Sequence, residues 1–296
     1  AYSEHPVTIG LSVPENKPQK TSDVPTTLEL FPEDEQDETY TIGNAQHIGK
    51  RDEQQDAFGV SDIFNRDEVA EKGILAVLAD GMGGLQNGAE SSKCVVSLML
   101  EAFTHMDFHE DIPEGLKTIV QDVNTHINNH FNLESSQIMT GSTVVASIIR
   151  ENLLYWISVG DSRIYLFRDN KLSQLNREHN YGARLDENVQ LGIISAAEAE
   201  NDPNRAALTS YIGIDELTEM DRNIEPVRLQ PGDRVMMCSD GLFSTLSEEE
   251  MARALAGNPQ EAAQDMVNRV VQIDRKYQDN VTVVVLGFNI DQVQGI

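Results

Sequence analysis

The sequence predicts an α+β protein in which antiparallel strands form the core and helices cover the outer faces. Short apolar or alternating runs, typical of strands, occur in groups bounded by glycine and polar turns. Stretches with helical periodicity separate these groups. The resulting order is strands, two helices, strands, two helices and a final strand, which favours helices packed on an antiparallel sheet system.

The first half of the chain begins with strands around a polar loop. Residues 39–45 and 57–64 are predicted strands, and the loop 49–56 lies between them. Residues 74–79 form an uninterrupted apolar run that is too short for a typical helix, so we expect a buried strand that ends at Asp80. Two helices are predicted next, one over residues 88–106 and one after Pro113 in which apolar residues recur at helical spacing.

The second half repeats this arrangement. Residues 142–150 and 153–159 predict a hairpin closed by Glu151-Asn152, and a short strand is expected at 163–167. Residues 177–225 predict a long loop with one short acidic helix near 195–200, and so long a loop in a compact domain is usually functional. The remaining elements are a strand at 233–239, a helix introduced by Ser247 and Glu250, a helix starting near Asn258-Pro259, and a last strand at 281–288.

Charge excludes several classes of partner. The chain has 22 basic and 49 acidic residues, a net charge of −27 and a pI near 4.4. Such a field repels nucleic acid and anionic membrane surfaces, whereas it attracts divalent cations. No run of 18 apolar residues or secretory signal is found, and Cys94 and Cys238 have no metal-ligand spacing. We therefore expect a soluble cytoplasmic protein.

Residues 1–39 differ in composition from the rest of the chain. Five of the ten prolines lie there, and the segment closes with an acidic run. This composition predicts a linker or tail, although the alternating apolar residues at 7–13 are typical of a short edge strand. We predict an N-terminal extension over 1–39, docked as an edge strand, and a single domain over 40–296.

Four aspartates occupy related places in the predicted strands. Asp80 and Asp240 each end an apolar strand and precede a glycine, Asp279 comes just before the last strand, and Asp56 closes the polar loop. Antiparallel strands can bring these positions to one rim. Four carboxylates in one cleft raise each other's pKa values, and two divalent cations would balance their charge. Oxygen ligands favour Mg²⁺ or Mn²⁺ over zinc, and paired metals suit phosphoryl transfer.

Arg51 lies on the same polar loop as Asp56. A guanidinium can bind two phosphate oxygens at once and would offset the negative field of the cleft. Alone it would be read as an ordinary surface arginine. Because the four aspartates are expected at the same cleft, a phosphate-binding role is favoured for Arg51.

The pattern resembles the metal-dependent serine/threonine protein phosphatases, the PPM or type 2C family, in its bacterial branch. Six short stretches in order carry the resemblance. They are Gly49-Lys50-Arg51 with Gln55-Asp56, Val77-Leu78-Ala79-Asp80-Gly81-Met82-Gly83-Gly84, Gly141-Ser142-Thr143, Gly160-Asp161-Ser162-Arg163, Cys238-Ser239-Asp240-Gly241-Leu242 and Gln278-Asp279-Asn280. The resemblance implies a central β-sandwich of two antiparallel sheets flanked by helix pairs, with metals at one end and a flap at about 177–225.

The resemblance also implies a metal-binding role for particular residues. Asp80 would bridge two metals, and the carbonyl of Gly81 would bind one of them. Asp240 and Asp279 would hold the other metal. A third, weaker metal would match Asp161 together with Asp240, although a plain turn residue is an equal reading of Asp161.

Other residues are implied in catalysis or in support of it. Asp56 would belong to the metal site and orient a metal-bound water, and Arg51 would hold the substrate phosphate. Gln55 and Asn280 would contact the metal ligands rather than the metals. The chain has Gln55 where many members have Glu, so one metal would be held less tightly. Met82 stands where some members have histidine and cannot donate a proton to the leaving group.

The expected function is metal-dependent hydrolysis of phosphoserine and phosphothreonine in proteins, counteracting a serine/threonine kinase. No cysteine, serine or histidine nucleophile is placed among the acids, which favours direct attack by water. Two alternatives stay open at this point. One is a catalytically weak pseudophosphatase that binds phosphoproteins, and the other is a two-metal hydrolase of small phosphoesters.

Overall fold

The computed structural model of the chain describes residues 38–82, 87–106, 111–131 and 140–290. The edge strand expected at 7–13 and the glycines at 83 and 84 lie outside these residues. The extension over 1–39 therefore stays a prediction, except that Glu38 already begins the first described strand.

Twelve strands are present among the described residues. They are β1 Glu38–His47, β2 Asp56–Val60, β3 Ile74–Met82, β4 Gly141–Ser142, β5 Val144–Arg150, β6 Leu153–Val159, β7 Arg163–Arg168, β8 Lys171–Gln174, β9 Asp221–Arg222, β10 Val227–Arg228, β11 Arg234–Cys238 and β12 Val281–Ile290. All pairings between them are antiparallel. One sheet has the order β1-β12-β11-β7-β8, and the other has the order β10-β6-β5-β3-β2, with β4 on β3 and β9 on β6.

Eight helices are found in the same part of the chain. They are α1 Arg66–Lys72, α2 Asn87–His105, α3 Ile112–Phe131, α4 Tyr181–Gln190, α5 Ala196–Glu200, α6 Asp240–Phe243, α7 Glu248–Leu255 and α8 Pro259–Ile273. None of the described helices is both long enough and apolar enough to cross a membrane. Helices α2 and α3, and helices α7 and α8, lie where the sequence predicted the two helix pairs.

Three clusters of buried apolar residues join the helices to the sheets and the two sheets to each other. Strand β3 contributes residues to two of these clusters. Leu75 and Val77 face α2 and α3, whereas Ala76 and Leu78 face the first sheet, which contains β11 and β12, as the period-two geometry of a strand requires. The middle cluster joins residues of both sheets, and a third cluster packs α7 and α8 on the outer face of the first sheet. The predicted α+β sandwich with flanking helix pairs is confirmed.

Some elements depart from the sequence predictions. The strand expected at 57–64 ends at Val60, and α1 follows, because the Asn65 side chain caps α1 by accepting from the backbone of Glu68. The segment expected to be loop contains the ten-residue helix α4, capped by Asn180. Among its residues only Gly182 and Leu185 are buried, so α4 lacks the wide apolar stripe that would reveal a helix.

Candidate metal centre

The sheet pairings bring the predicted carboxylates to one end of the sandwich. Asp56 begins β2 and lies opposite Asp80 of β3 in the antiparallel register. Asp240 follows the end of β11, and Asp279 precedes β12, its antiparallel neighbour. The charges of Asp56, Asp240, Asp161 and Asp279 all act on Asp80, so five acids from separate parts of the chain share one electrostatic environment.

Asp56 lies where the two sheets meet. Its carboxylate is buried, and its Oδ2 atom accepts hydrogen bonds from the hydroxyls of Ser239, at 2.7 Å, and Thr282, at 2.8 Å. Its Oδ1 atom is buried without a hydrogen-bond partner among the described residues. Burial raises the pKa of Asp56 to about 6, and the two hydroxyls oppose that rise.

The backbone of Asp80 is held on both sides by the Gly141-Ser142-Thr143 stretch. The Asp80 N–H donates to Thr143 Oγ1 at 2.9 Å, and the Asp80 carbonyl accepts from the Thr143 N–H at 2.8 Å and from Ser142 Oγ at 2.9 Å. The Thr143 hydroxyl also contacts that of Ser162 at 2.9 Å. Burial, followed by the charge of Asp56, raises the Asp80 side-chain pKa well above its usual range.

Asp240 and Asp161 form the side of the cluster that faces α4 and the segment predicted as the flap. Burial and then the charge of Asp161 raise the pKa of Asp240 to about 7. Burial and then the charge of Glu178 raise the pKa of Asp161 to about 6. Asp240 Oδ1 is a second buried carboxylate oxygen without a hydrogen-bond partner in the described part of the chain.

Arg51 lies over the opposite side of the cluster. Its Nη2 atom is 2.6 Å from Asp279 Oδ2, and its side chain is exposed. This hydrogen bond raises the pKa of Arg51, and the charges of Asp240 and Asp80 act in the same direction. The loop arginine therefore reaches the predicted acids, although the sequence alone allowed an unrelated surface position.

Asn280 ties the polar loop to the cluster. Its Oδ1 atom accepts from the Gln55 N–H at 2.7 Å, and its Nδ2 atom donates to the carbonyls of Ile48 and Glu53 at 2.8 and 3.1 Å. The Asn280 N–H in turn donates to Asp279 Oδ1 at 2.8 Å. One buried amide thus fixes the position of the loop relative to an acid of the other sheet.

Two glycines allow backbone segments to approach closely at this end. A Cβ on Gly241 would lie 2.0 Å from the Asn280 carbonyl oxygen, and a Cβ on Gly81 would lie 2.0 Å from that of Gly88. The Gly81 N–H also donates to the Gln55 carbonyl at 3.0 Å. Any side chain at Gly241 would therefore push apart the segments that carry Asp240 and Asp279.

The residues present fit hard cations. Buried polar atoms are nearly always satisfied, so unpartnered carboxylate oxygens on Asp56 and Asp240 indicate a ligand, and all-oxygen donors suit Mg²⁺ or Mn²⁺. No three His, Cys, Asp or Glu side chains of the described residues are already arranged to hold a metal. Asp279, one of the predicted ligands, instead forms an ion pair with Arg51.

A cleft of about 750 Å³ opens beside the cluster, between Asp161 and Asp240 on one side and α4 on the other. Arg163 lies in it, donates to Glu178 at 2.6 Å, and stacks over the Phe243 ring at 3.7 Å. Glu178 and Phe243 were not singled out from the sequence. The only signal was that Arg163 is the last residue of one of the motif stretches.

The segment predicted as the flap, residues 177–225, has a buried histidine, His179, near its start. The Gly160 N–H donates to His179 Nδ1 at 3.1 Å, and the His179 N–H donates to the Gly160 carbonyl at 2.8 Å. Burial lowers the pKa of His179. This pair of hydrogen bonds fastens the start of the flap next to Asp161.

Comparison with known proteins agrees with this geometry. Residues 44–279 match the family described as Protein phosphatase 2C. The chain is 30% identical to the serine/threonine phosphatase stp of Listeria welshimeri over 223 residues, which covers 74% of this chain and 86% of that protein. It is 32% identical to the serine/threonine protein phosphatase PstP of Mycobacterium tuberculosis over 230 residues, covering 75% of this chain and 41% of PstP.

A solved structure gives the same result for the fold. The serine/threonine phosphatase of S. agalactiae superimposes with a TM-score of 0.73 at 26% identity, covering 84% of this chain and 99% of that one. Members of the matched family are metal-dependent, as the carboxylate cluster leads us to expect. The chain therefore belongs to the protein phosphatase 2C (PPM) family, in its bacterial branch, and is a protein serine/threonine phosphatase.

Proposed function

We propose that the chain hydrolyses phosphoserine and phosphothreonine in proteins with two divalent cations, Mg²⁺ or Mn²⁺, held at the carboxylate cluster. The observation that carries this proposal is the pair of buried, unpartnered carboxylate oxygens on Asp56 and Asp240, which come from different sheets and meet at one end. Burial and the neighbouring acids raise the pKa values of both carboxyls, and bound cations would offset this repulsion, which supports the proposal.

Asp80 would contact both cations, with the Gly81 carbonyl on one of them and Asp240 and Asp279 on the other. When bound, the cations supply Lewis acidity and an activated water for in-line displacement at phosphorus. Asp56 would bind and orient that water. A third cation at Asp161 and Asp240 is part of the proposal.

Asp56 is suited to orienting water because its own position is fixed. Two buried hydroxyls, those of Ser239 and Thr282, hold Oδ2 and leave Oδ1 free to accept a hydrogen bond or bind a cation. With a pKa of about 6, the carboxyl is mostly ionised at neutral pH. Met82 offers no proton, so the described residues at this position provide no general acid.

Arg51 would bind the substrate phosphate. Its exposed side chain ends in a guanidinium, which binds two phosphate oxygens in parallel. The guanidinium contacts Asp279 in this structure, so phosphate binding exchanges one anionic partner for another. A cation bound by Asp279 would replace the same ion pair from the other side.

The remaining expectations stay proposals. We propose a single catalytic domain over 40–296 with the flap at 177–225, an N-terminal extension over 1–39, and phosphorylated proteins as partners, with a serine/threonine kinase acting in opposition. The cytoplasmic location stays a prediction.

Phosphate release from phosphothreonine peptides in Mn²⁺, with and without chelator, tests the proposal. We expect chelation to abolish release and Asp240→Ala to reduce it at least about 100-fold, since a metal ligand is lost. Asp186→Ala is the matched control: it lines the same cleft but pairs with Arg205 at 2.7 Å, away from the cluster.

The outcomes separate the alternatives. Full activity under chelation, or in Asp240→Ala, would overturn the metal mechanism. Binding of phosphopeptides without release in any metal would indicate a pseudophosphatase. Hydrolysis of p-nitrophenyl phosphate but of no phosphopeptide would indicate a small-phosphoester hydrolase.

A further inference from the structure

We propose that an exposed apolar surface beside Arg51 selects the substrate sequence. This surface, the Tyr277 patch, consists of Ile48, Val271, Ile273 and Tyr277. Its occupant would be the segment of a phosphorylated protein next to the phosphoresidue, carrying one apolar and one acidic side chain. The inference rests on the proposed function, because it concerns the substrates of the same site.

The patch concentrates exposed apolar surface at one place. Tyr277 is 82% exposed, Ile273 is 48% exposed, and Val271 and Ile48 are 38% and 37% exposed. These four are among nine large apolar side chains that are exposed in the described part of the chain. Single exposed apolar residues are normal, whereas a group beside a functional site indicates an interaction surface.

Backbone contacts connect the patch to the phosphate-binding arginine. The Lys50 N–H donates to the Gln278 carbonyl at 2.8 Å, and the next residue along each segment forms the ion pair between Arg51 and Asp279. Tyr277 therefore lies on a segment that runs directly alongside the arginine. A notch of about 60 Å³ lies between the two segments and is lined by His47, Gly49, Lys50, Val271, Asp274 and Gln278.

The charge of this surface is opposite to that of the chain. Residues 48–51 and 271–279 contain four basic side chains and two acidic side chains, in a chain with a net charge of −27. Lys276 places its ammonium 4.7 Å from the centre of the Tyr277 ring, and Lys50 pairs with the exposed Asp274. An acidic side chain of the substrate would be attracted to this surface and repelled by most of the remaining surface of the protein. This difference directs an acidic substrate segment to the patch.

The geometry of the site also favours a substrate as the occupant. A phosphoresidue on Arg51 presents its flanking residues to the surfaces that border the cluster. The flap cleft borders the Asp161 and Asp240 side, and the Tyr277 patch borders the Arg51 and Asp279 side. Apolar contact with an exposed aromatic ring and charge attraction to Lys276 then distinguish one phosphorylated segment from another.

A peptide series tests the proposal. The parent is an alanine-based phosphothreonine peptide, and the series places one Phe, with or without one Glu, in turn at the four positions nearest the phosphoresidue. We expect at least one Phe-Glu peptide to exceed the parent about tenfold in kcat/KM, equivalent to about 1.4 kcal/mol. Tyr277→Ala should abolish this preference, Tyr277→Phe should retain it, and Lys276→Ala should remove the advantage given by Glu.

Hydrolysis of p-nitrophenyl phosphate, which has no flanking residues, should be unchanged in all three variants. Phe64→Ala, at a position 71% exposed outside the patch, is the control and should keep the preference. The proposal would be overturned by equal rates for all peptides or by a preference that Tyr277→Ala leaves unchanged. It would also be overturned if the effect of Tyr277→Ala disappeared on dilution of the enzyme, because the patch would then be a contact between copies of the chain. Failure of the proposed function is distinguishable, since the wild-type protein would then release no phosphate from any peptide.

Discussion

Replacing Thr282 with valine removes one hydroxyl from the centre of the site and changes little else. Thr282 is fully buried in β12, and its Oγ1 atom donates to Asp56 Oδ2 at 2.8 Å. Valine has nearly the same shape, and its neighbours Val281 and Val283 are already valines. The change therefore isolates the hydrogen bond across the two sheets.

The structure sets the expected magnitude. A hydrogen bond to a buried charged group contributes about 1.5–3 kcal/mol, and the lower half of that range applies because Ser239 still donates to the same oxygen. A loss of about 1.5–2 kcal/mol lowers Tm by roughly 3–8 °C for a chain of this size. Loosening a residue that orients a metal or its water typically raises the metal requirement about 10- to 100-fold.

Calorimetry and Mn²⁺ titrations of activity measure both effects. Thr282→Ser is the matched control, since it keeps the hydroxyl but loses a buried methyl group, at a cost of about 1 kcal/mol. We expect Thr282→Ser to lose stability while its Mn²⁺ requirement stays that of the wild type. If both variants have the wild-type requirement, the hydrogen bond does not position Asp56, and the reasoning fails.

Three further predictions follow from the same end of the sandwich. Gln55→Glu should lower the Mn²⁺ concentration for half-maximal activity, because it adds a negative charge beside the cluster. Gly241→Ala should reduce activity at least about tenfold and destabilise the protein by more than about 2 kcal/mol, because the new Cβ would lie 2.0 Å from the Asn280 carbonyl oxygen. Without metal, Tm should fall as pH rises from about 4 to 7, because Asp240 has a pKa of about 7 when folded and a lower one when unfolded.

Each of these predictions has a control. An unchanged or higher Mn²⁺ requirement would contradict the first, and Gln55→Leu should separate charge from shape. Gly257→Ala, whose Cβ would have its nearest neighbour at 3.6 Å, should be tolerated where Gly241→Ala is not. The third prediction follows because a group with a raised pKa in the folded state contributes stability that is lost when the group is deprotonated. Saturating Mn²⁺ should remove the fall of Tm with pH. A rise of Tm over the same pH range in the chelated protein would refute the prediction.

The predictable part of the fold came from strands with strong period-two or fully apolar patterns. Residues 74–79 are apolar because both faces of β3 are covered, one by helices and one by the other sheet. Asp80 directly follows this apolar run and marks the point where continuous burial stops, although β3 itself continues to Met82 rather than ending at Asp80 as predicted. That is why Asp80 could be located in its strand before the structure was known.

The missed part consists of hydrogen bonds between polar residues that lie far apart in sequence, including Ser239 and Thr143 of the motif stretches. Ser239 and Thr282 lie 183 and 226 residues from Asp56, and a hydroxyl in or beside a strand looks like any other small strand residue. Thr143 likewise accepts a hydrogen bond from the Asp80 N–H, although the two residues are 63 positions apart. Helix α4 was missed because its buried side consists of Gly182 and Leu185 alone, too little for apolar periodicity to indicate a helix.

The central claim is that these carboxylates hold a pair of metal ions. Anomalous diffraction at the manganese edge, from crystals of the Mn²⁺-loaded protein, tests it most directly. The account predicts two manganese peaks with the Asp80 carboxylate between them and with Asp240 and Asp279 bound to the same one. Manganese bound elsewhere, or a single ion that does not touch Asp80, would contradict it.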